Sequence, residues 1–143
     1  MKQTINGREI DVLILPIKKK WFDMILSGEK KEEYRDMTDY YKTRFINNGM
    51  LAPDNSLVHG AAITGTHRYI YFRNGYSGNS PHFTAECALR IARGNPEWGA
   101  EEGRGYGRVY YTLDIIRVLD NPYKSIYEAQ GIPFDEDKGV PIV

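Results

Sequence analysis

A single cysteine, Cys87, in 143 residues excludes an intrachain disulfide and any cysteine-based metal cluster. A reducing compartment suits such a chain. Net charge is missing as well, because Lys plus Arg and Asp plus Glu each total 19. That balance excludes a broad basic face, and with it an avid, nonspecific grip on long nucleic acid. No apolar run reaches membrane-spanning length, and Met1 to Asp11 carries no apolar segment of leader type. The expectation is a soluble, cytoplasmic protein with no membrane partner. The three histidines, His59, His67 and His82, are widely spaced and none lies in an H-E-x-x-H context, so no metal or other cofactor is expected. Internal repeats and low-complexity segments are also lacking.

What the chain has in quantity is aromatic residues, 13% of the total, with 11 tyrosines among them. Tyrosine packs its ring while keeping its hydroxyl wet, which suits half-buried sheet faces and binding clefts alike. The length allows one domain with a real core and is short for two. We therefore expect a single domain over residues 1–143, with its core at about 12–118 and a C-terminal helix and tail over 119–143.

Along the chain, Asn6-Gly7 marks a turn behind a loosely paired or frayed N-terminus. The apolar run Val12 to Ile17 reads as a buried strand that stops near Pro16. Lys18 to Ser27 places Trp21, Phe22, Ile25 and Leu26 on one helical face, and Gly28 ends that helix. Met37 to Asn47 is a second helix, with Thr38 as cap, Tyr41, Phe45 and Ile46 buried, and Asn48-Gly49 as the stop. Leu51 to Thr66 shows no sustained period and reads as a loop. His67 to Arg73 is aromatic and β-branched, hence a strand. A small, polar loop follows at Asn74 to Pro81, flexible enough to approach a ligand closely.

From Phe83 to Arg93 the residues Phe83, Ala85, Cys87, Leu89 and Ile91 alternate with Thr84, Glu86, Ala88, Arg90 and Ala92. That alternation argues strand over the helical propensity of the same letters. Gly94 to Gly107 is a glycine-rich loop anchored by Trp98, and Arg108 to Val118 is another alternating strand. Asn121-Pro122 starts a short helix over Tyr123 to Gln130, and Ile132 to Val143 reads as a tail. The fold class is α+β: a small mixed, mostly antiparallel β-barrel with two or three short helices.

Between the first helix and the next strand lies Gly28-Glu29-Lys30-Lys31-Glu32-Glu33-Tyr34-Arg35, which reads G-x-K-x-x-E-x-R. Period 2 puts Lys31, Glu33 and Arg35 on one face and Glu32 and Tyr34 on the other, with Lys30 at the turn free to lean toward Glu33. Read locally, the stretch is a solvated edge strand whose alternating charges guard it against aggregation. Six positive and four negative residues fall between Lys18 and Arg35, so the local basic excess is modest.

The succession of buried strand, lysine-rich helix and this octet is similar to the ASCH domain, a β-barrel family related in fold to the PUA domains. The family signature is G-x-K-x-x-E-x-R, matched here by Gly28, Lys30, Glu33 and Arg35. The segments Arg73-Asn74-Gly75-Tyr76 and Pro96-Glu97-Trp98-Gly99-Ala100 also resemble parts of small bacterial and phage members. The resemblance covers about Val12 to Val118. It implies a cleft lined by the signature that binds RNA, a single-stranded nucleic acid or a modified nucleotide. Some members are amidohydrolases acting on N-acylated cytidine-type nucleosides, with the signature Lys catalytic, a Thr at the signature Glu position and a separate downstream Glu. Here that position holds Glu33.

The candidate ligand-binding residues are accordingly Lys30, Glu33, Tyr34, Arg35, Arg73, Asn74 and Trp98. Lys30 can hold a phosphate, or act as a base where burial lowers its pKa, and a neighbouring Glu33 favours its charged form. Arg35 offers a planar fork to a phosphate or base edge, or pairs with Glu33. Trp21, Tyr34, Tyr76 and Trp98 can stack on a base, Trp21 and Trp98 also serving as packing anchors. For the hydrolase alternative the catalytic pair is Lys30 with Glu33, or with Glu86 as the downstream acid. Cys87 falls on the apolar face of its strand, where it is buried and inert. Gly103-Arg104-Gly105-Tyr106-Gly107 lacks the Lys and Ser or Thr of a phosphate-cradling loop. A third reading makes the charged strand a protein-contact edge.

Overall fold

The structure, a computed structural model, describes residues 1–54, 66–101 and 108–142. Its strands are β1 (Lys2–Ile5), β2 (Arg8–Pro16), β3 (Glu32–Arg35), β4 (Thr66–Arg73), β5 (His82–Arg93), β6 (Val109–Val118), β7 (Phe134–Asp135) and β8 (Val140–Pro141). Its helices are α1 (Lys19–Leu26), α2 (Asp39–Asn47) and α3 (Lys124–Ala129), with a single 3₁₀ turn at Pro96–Trp98. The fold is α+β, with a mixed, mostly antiparallel six-stranded sheet in the order β1-β2-β4-β5-β6-β3 and a separate β7-β8 ladder. The expected barrel is not closed. Among the described residues no ladder joins β1 to β3, and all four residues of β3 are paired with β6.

Compactness divides the chain into two units. The first comprises Met1–Lys31, Tyr69–Glu86 and Ile115–Val143, the second Glu32–Arg68 and Cys87–Asp114. The G-x-K-x-x-E-x-R octet is cut by this division, with Gly28 and Lys30 in the first unit and Glu33 and Arg35 in the second.

In the first unit, Asn6 and Gly7 both take positive φ (51° and 80°), the backbone of a two-residue hairpin turn, so Met1 to Ile5 pairs with β2 rather than fraying. β2 then pairs in parallel with β4, Val12 opposite Tyr69 and Pro16 opposite Arg73. Val12, Leu13, Leu15 and Ile17 are all buried, which is why the run is continuous instead of alternating. α1 buries Phe22, Ile25 and Leu26, and the Phe22 ring meets Phe83 and Tyr123 edge-on at 5.0 and 6.1 Å.

The stretch expected to be a tail is instead part of this unit. Gly139 takes φ 71°, and a Cβ there would lie 1.8 Å from the Val118 carbonyl oxygen, so only glycine fits. The Asn121 amide donates to the carbonyls of Leu26 (2.9 Å) and Gly139 (3.0 Å) and accepts from the Tyr123 N–H (2.9 Å). One side chain thereby fastens the end of α1, the β7-β8 ladder and the start of α3 together.

In the second unit, β3 runs antiparallel to β6, Glu33 opposite Leu113 and Arg35 opposite Tyr111. Thr38 caps α2 as expected, its hydroxyl accepting from the Tyr41 N–H at 3.3 Å. Phe45 is fully buried against Tyr111, whereas Tyr41 and Ile46, expected to be buried, are only partly so. Tyr34, Ala100 and Tyr110 form a small core flanked by Trp98. Gly94 lies so close to it that a Cβ would come within 2.4 Å of Ala100.

Candidate functional site

The signature glycine has two physical reasons to be there. Gly28 takes φ 85° to end α1, and a Cβ on it would meet the Pro141 carbonyl at 3.3 Å and Val140 at 3.4 Å. Two residues on, the Lys30 N–H donates to the Met24 carbonyl at 2.9 Å, which fixes the backbone against α1. The Lys30 side chain is only 1% exposed. Its ammonium sits 4.9 Å from the centre of the half-buried Trp21 ring, over which the exposed Lys20 places a second ammonium at 4.6 Å. Such a ring attracts cations through its negative π face, more so where water is excluded. Trp21 thus partners a signature residue, beyond the packing role expected of it.

On β3 the period-2 reading holds. Arg35 Nη1 and Glu33 Oε2 are 3.0 Å apart on one face, while the Tyr34 hydroxyl donates to Glu32 at 2.9 Å on the other. The Glu33 carboxylate also accepts from the Tyr34 N–H at 3.1 Å, and Arg35 Nη1 donates to the Tyr34 carbonyl at 2.8 Å. Charged side chains this well buried are stable only where hydrogen bonds and an opposite charge replace water. The Arg35 guanidinium in turn lies 5.7 Å from the Tyr41 ring.

The sequence reading missed the arrangement around Arg90. Glu32 on β3 sits directly opposite Asp114 on β6, and like charges in that position repel. Arg90 from β5 resolves the conflict by bonding Asp114 through Nε at 2.7 Å and Glu32 through Nη2. The hydrogen bond to Asp114 raises the Arg90 pKa. Tyr34 completes the set, since its hydroxyl also accepts from the Asn95 N–H at 2.8 Å. Burial pushes the Tyr34 phenol well above the usual tyrosine range, the Asn95 N–H opposing and Glu32 adding to the rise. The signal lay in two acids at cross-strand positions, visible only once the register is known.

Arg73 donates through Nε to the Gly75 carbonyl at 3.1 Å, closing the loop on the end of β4, and Asn74 donates to the Ile17 carbonyl at 2.9 Å, tying the loop to the end of β2. That loop is internally bonded rather than loose: the Ser77 carbonyl accepts from the Ser80 N–H, and the Ser80 hydroxyl accepts from the Ser77 N–H. Tyr76 projects into water at its tip, and Trp98 packs beside Tyr34 and Tyr110. Glu86 pairs with Arg117 at 2.9 Å, and Cys87 is fully buried. His59, Gly103 to Gly107 and most of the loop expected from Leu51 to Thr66 lie outside the described residues, as does the side chain of His67.

Among the described residues no helix is long and apolar enough to cross a membrane, and no three His, Cys, Asp or Glu side chains are grouped to hold a metal ion. Compared with known proteins, the chain matches no family model, no curated protein and no solved structure.

Proposed function

We propose that this chain is an ASCH-type, PUA-like domain of the cytoplasm that binds RNA, a single-stranded nucleic acid or a modified nucleotide through Lys30, Glu33 and Arg35. The observation that carries the reading is the complete G-x-K-x-x-E-x-R match at Gly28, Lys30, Glu33 and Arg35. The chemistry of these positions supports it. Lys30 offers a point charge to a phosphate, and its burial against Trp21 would sharpen that interaction by lowering the local dielectric. Arg35 offers a fork suited to a phosphate or a base edge, held in one orientation by Glu33. The neutral overall charge fits a small or single-stranded ligand better than a long duplex.

The hydrolase alternative, acting on an N-acylated cytidine-type nucleoside, needs an acid able to accept a proton beside Lys30. Both candidate acids are engaged in ion pairs, Glu33 with Arg35 and Glu86 with Arg117, which favours binding over catalysis. Titration of labelled single-stranded RNA and a nucleoside panel against wild type and Lys30→Ala tests the reading. Wild type should bind and Lys30→Ala should bind weakly. No binding by wild type, or equal binding by both at low salt, would reject it, and release of free cytidine from its N-acylated form would instead establish the hydrolase.

A further inference from the structure

The Arg35 end of the signature continues into a set of side chains that the signature does not include. Tyr40 and Tyr41, consecutive on α2, meet edge-on with ring centres 5.0 Å apart. The Arg44 guanidinium lies 5.6 Å from the Tyr40 ring, and that of Arg35 lies 5.7 Å from the Tyr41 ring. The order is guanidinium, ring, ring, guanidinium. Tyr40 is 61% exposed, although a large ring gains most when removed from water and tyrosine is a mediocre helix former. Neither core packing nor local propensity accounts for it.

We infer that Tyr40 and Tyr41, flanked by Arg35 and Arg44, form a stacking platform for the bases of a single-stranded nucleic acid that extends past the nucleotide bound by the signature. The inference rests on the nucleic-acid reading above and adds to it a second binding element on α2. A base presents a flat π face to tyrosine, and the phosphates on either side of it meet the guanidinium groups, so adjacent rings flanked by cations fit a strand. A duplex keeps its base faces stacked on one another and cannot use the rings. Tyrosine and arginine also serve protein interfaces, so a second copy of the chain is the competing occupant that the experiment separates from a strand.

The experiment is fluorescence anisotropy with a labelled single-stranded RNA of roughly ten nucleotides, within the usual site size for such binders. An abasic strand of the same length and a nucleoside monophosphate serve as companions. Tyr40→Ala should weaken the base-bearing strand by roughly tenfold, the scale of one lost stacking contact. Tyr40→Phe, which keeps the ring, should restore wild-type affinity. The abasic strand and the monophosphate should bind Tyr40→Ala as they bind wild type. If Tyr40→Ala holds the base-bearing strand as tightly as wild type, or loses the abasic strand equally, the platform is rejected. Should Lys30→Ala still lose binding in that case, the signature reading stands without it. Wild type that binds none of the three would reject both. A change in oligomeric state on Tyr40→Ala, with strand affinity unchanged, would assign this face to a second copy of the chain and also reject the platform.

Discussion

Two sets of arginine ion pairs in the second unit differ in a way that distance alone ranks wrongly. Arg108 approaches Asp36 to 2.6 Å and Glu101 to 2.8 Å, closer than the 3.0 Å between Arg35 and Glu33. Yet the Arg108 set is wet, with side chains 42% to 75% exposed, while Arg35 and Glu33 are 11% and 6% exposed. In water the attraction is screened and two long side chains lose rotamer freedom to meet. In the interior each charge has given up hydration that only its partners replace, so removing one leaves the other stranded. Burial, not separation, decides which pair the fold depends on. The signature contributes the buried one.

Glu33→Gln would test the comparison most severely. The amide still accepts from the Tyr34 N–H but withdraws the Glu33 charge from Arg35. We expect a loss of about 3 kcal/mol, at the lower end for a broken buried pair, read as a shift in the urea midpoint. A loss no larger than that from a surface pair would overturn the ranking.

Tyr34→Phe is the intermediate case. It removes the hydroxyl shared by Glu32 and Asn95, for an expected cost of about 1 kcal/mol near neutral pH. Because the folded phenol titrates above its unfolded value, its contribution is fully present below the ordinary tyrosine range and is lost as pH rises through the raised folded pKa. The Phe variant should therefore show a shallower alkaline decline in stability. Denaturation at a series of alkaline pH values would reveal a parallel decline if the hydroxyl carries no such linkage.

Smallest of all, Arg108→Ala should leave the urea midpoint nearly unchanged, and any shift should shrink further in high salt, as for exposed pairs. A larger, salt-insensitive loss would show that proximity matters more than exposure.

Much of this was readable from residue order. The Val12 to Ile17 run, the Gly28 stop, the Thr38 cap and the alternation from Phe83 onward each rest on chemistry within a few residues, and each reappears in the structure. What was not readable depends on partners distant in sequence. β7 and β8 have two residues each, too short to carry a period, and they are held by Asn121 and by the space that Gly139 leaves beside Val118. Arg90 acquires its meaning only when Glu32 and Asp114 become neighbours across two strands. The alternation itself overstated burial at its far end, since Ile91 is exposed where Phe83 to Leu89 are not. In the site, the faces of β3 followed from period 2, whereas the ammonium of Lys30 over Trp21 required the turn after α1 to be seen.

The close approach of Gly28 to Val140 and Pro141 has a consequence for the order of events during synthesis. Gly28 is made well before β8, the strand it rests against, because α2, α3 and five strands intervene. A nascent chain that has already completed α1 and β3 still lacks the wall behind Gly28. The turn into Lys30 gains that support only after β8 has been made, so the backbone ahead of β3 is completed by residues far downstream of it.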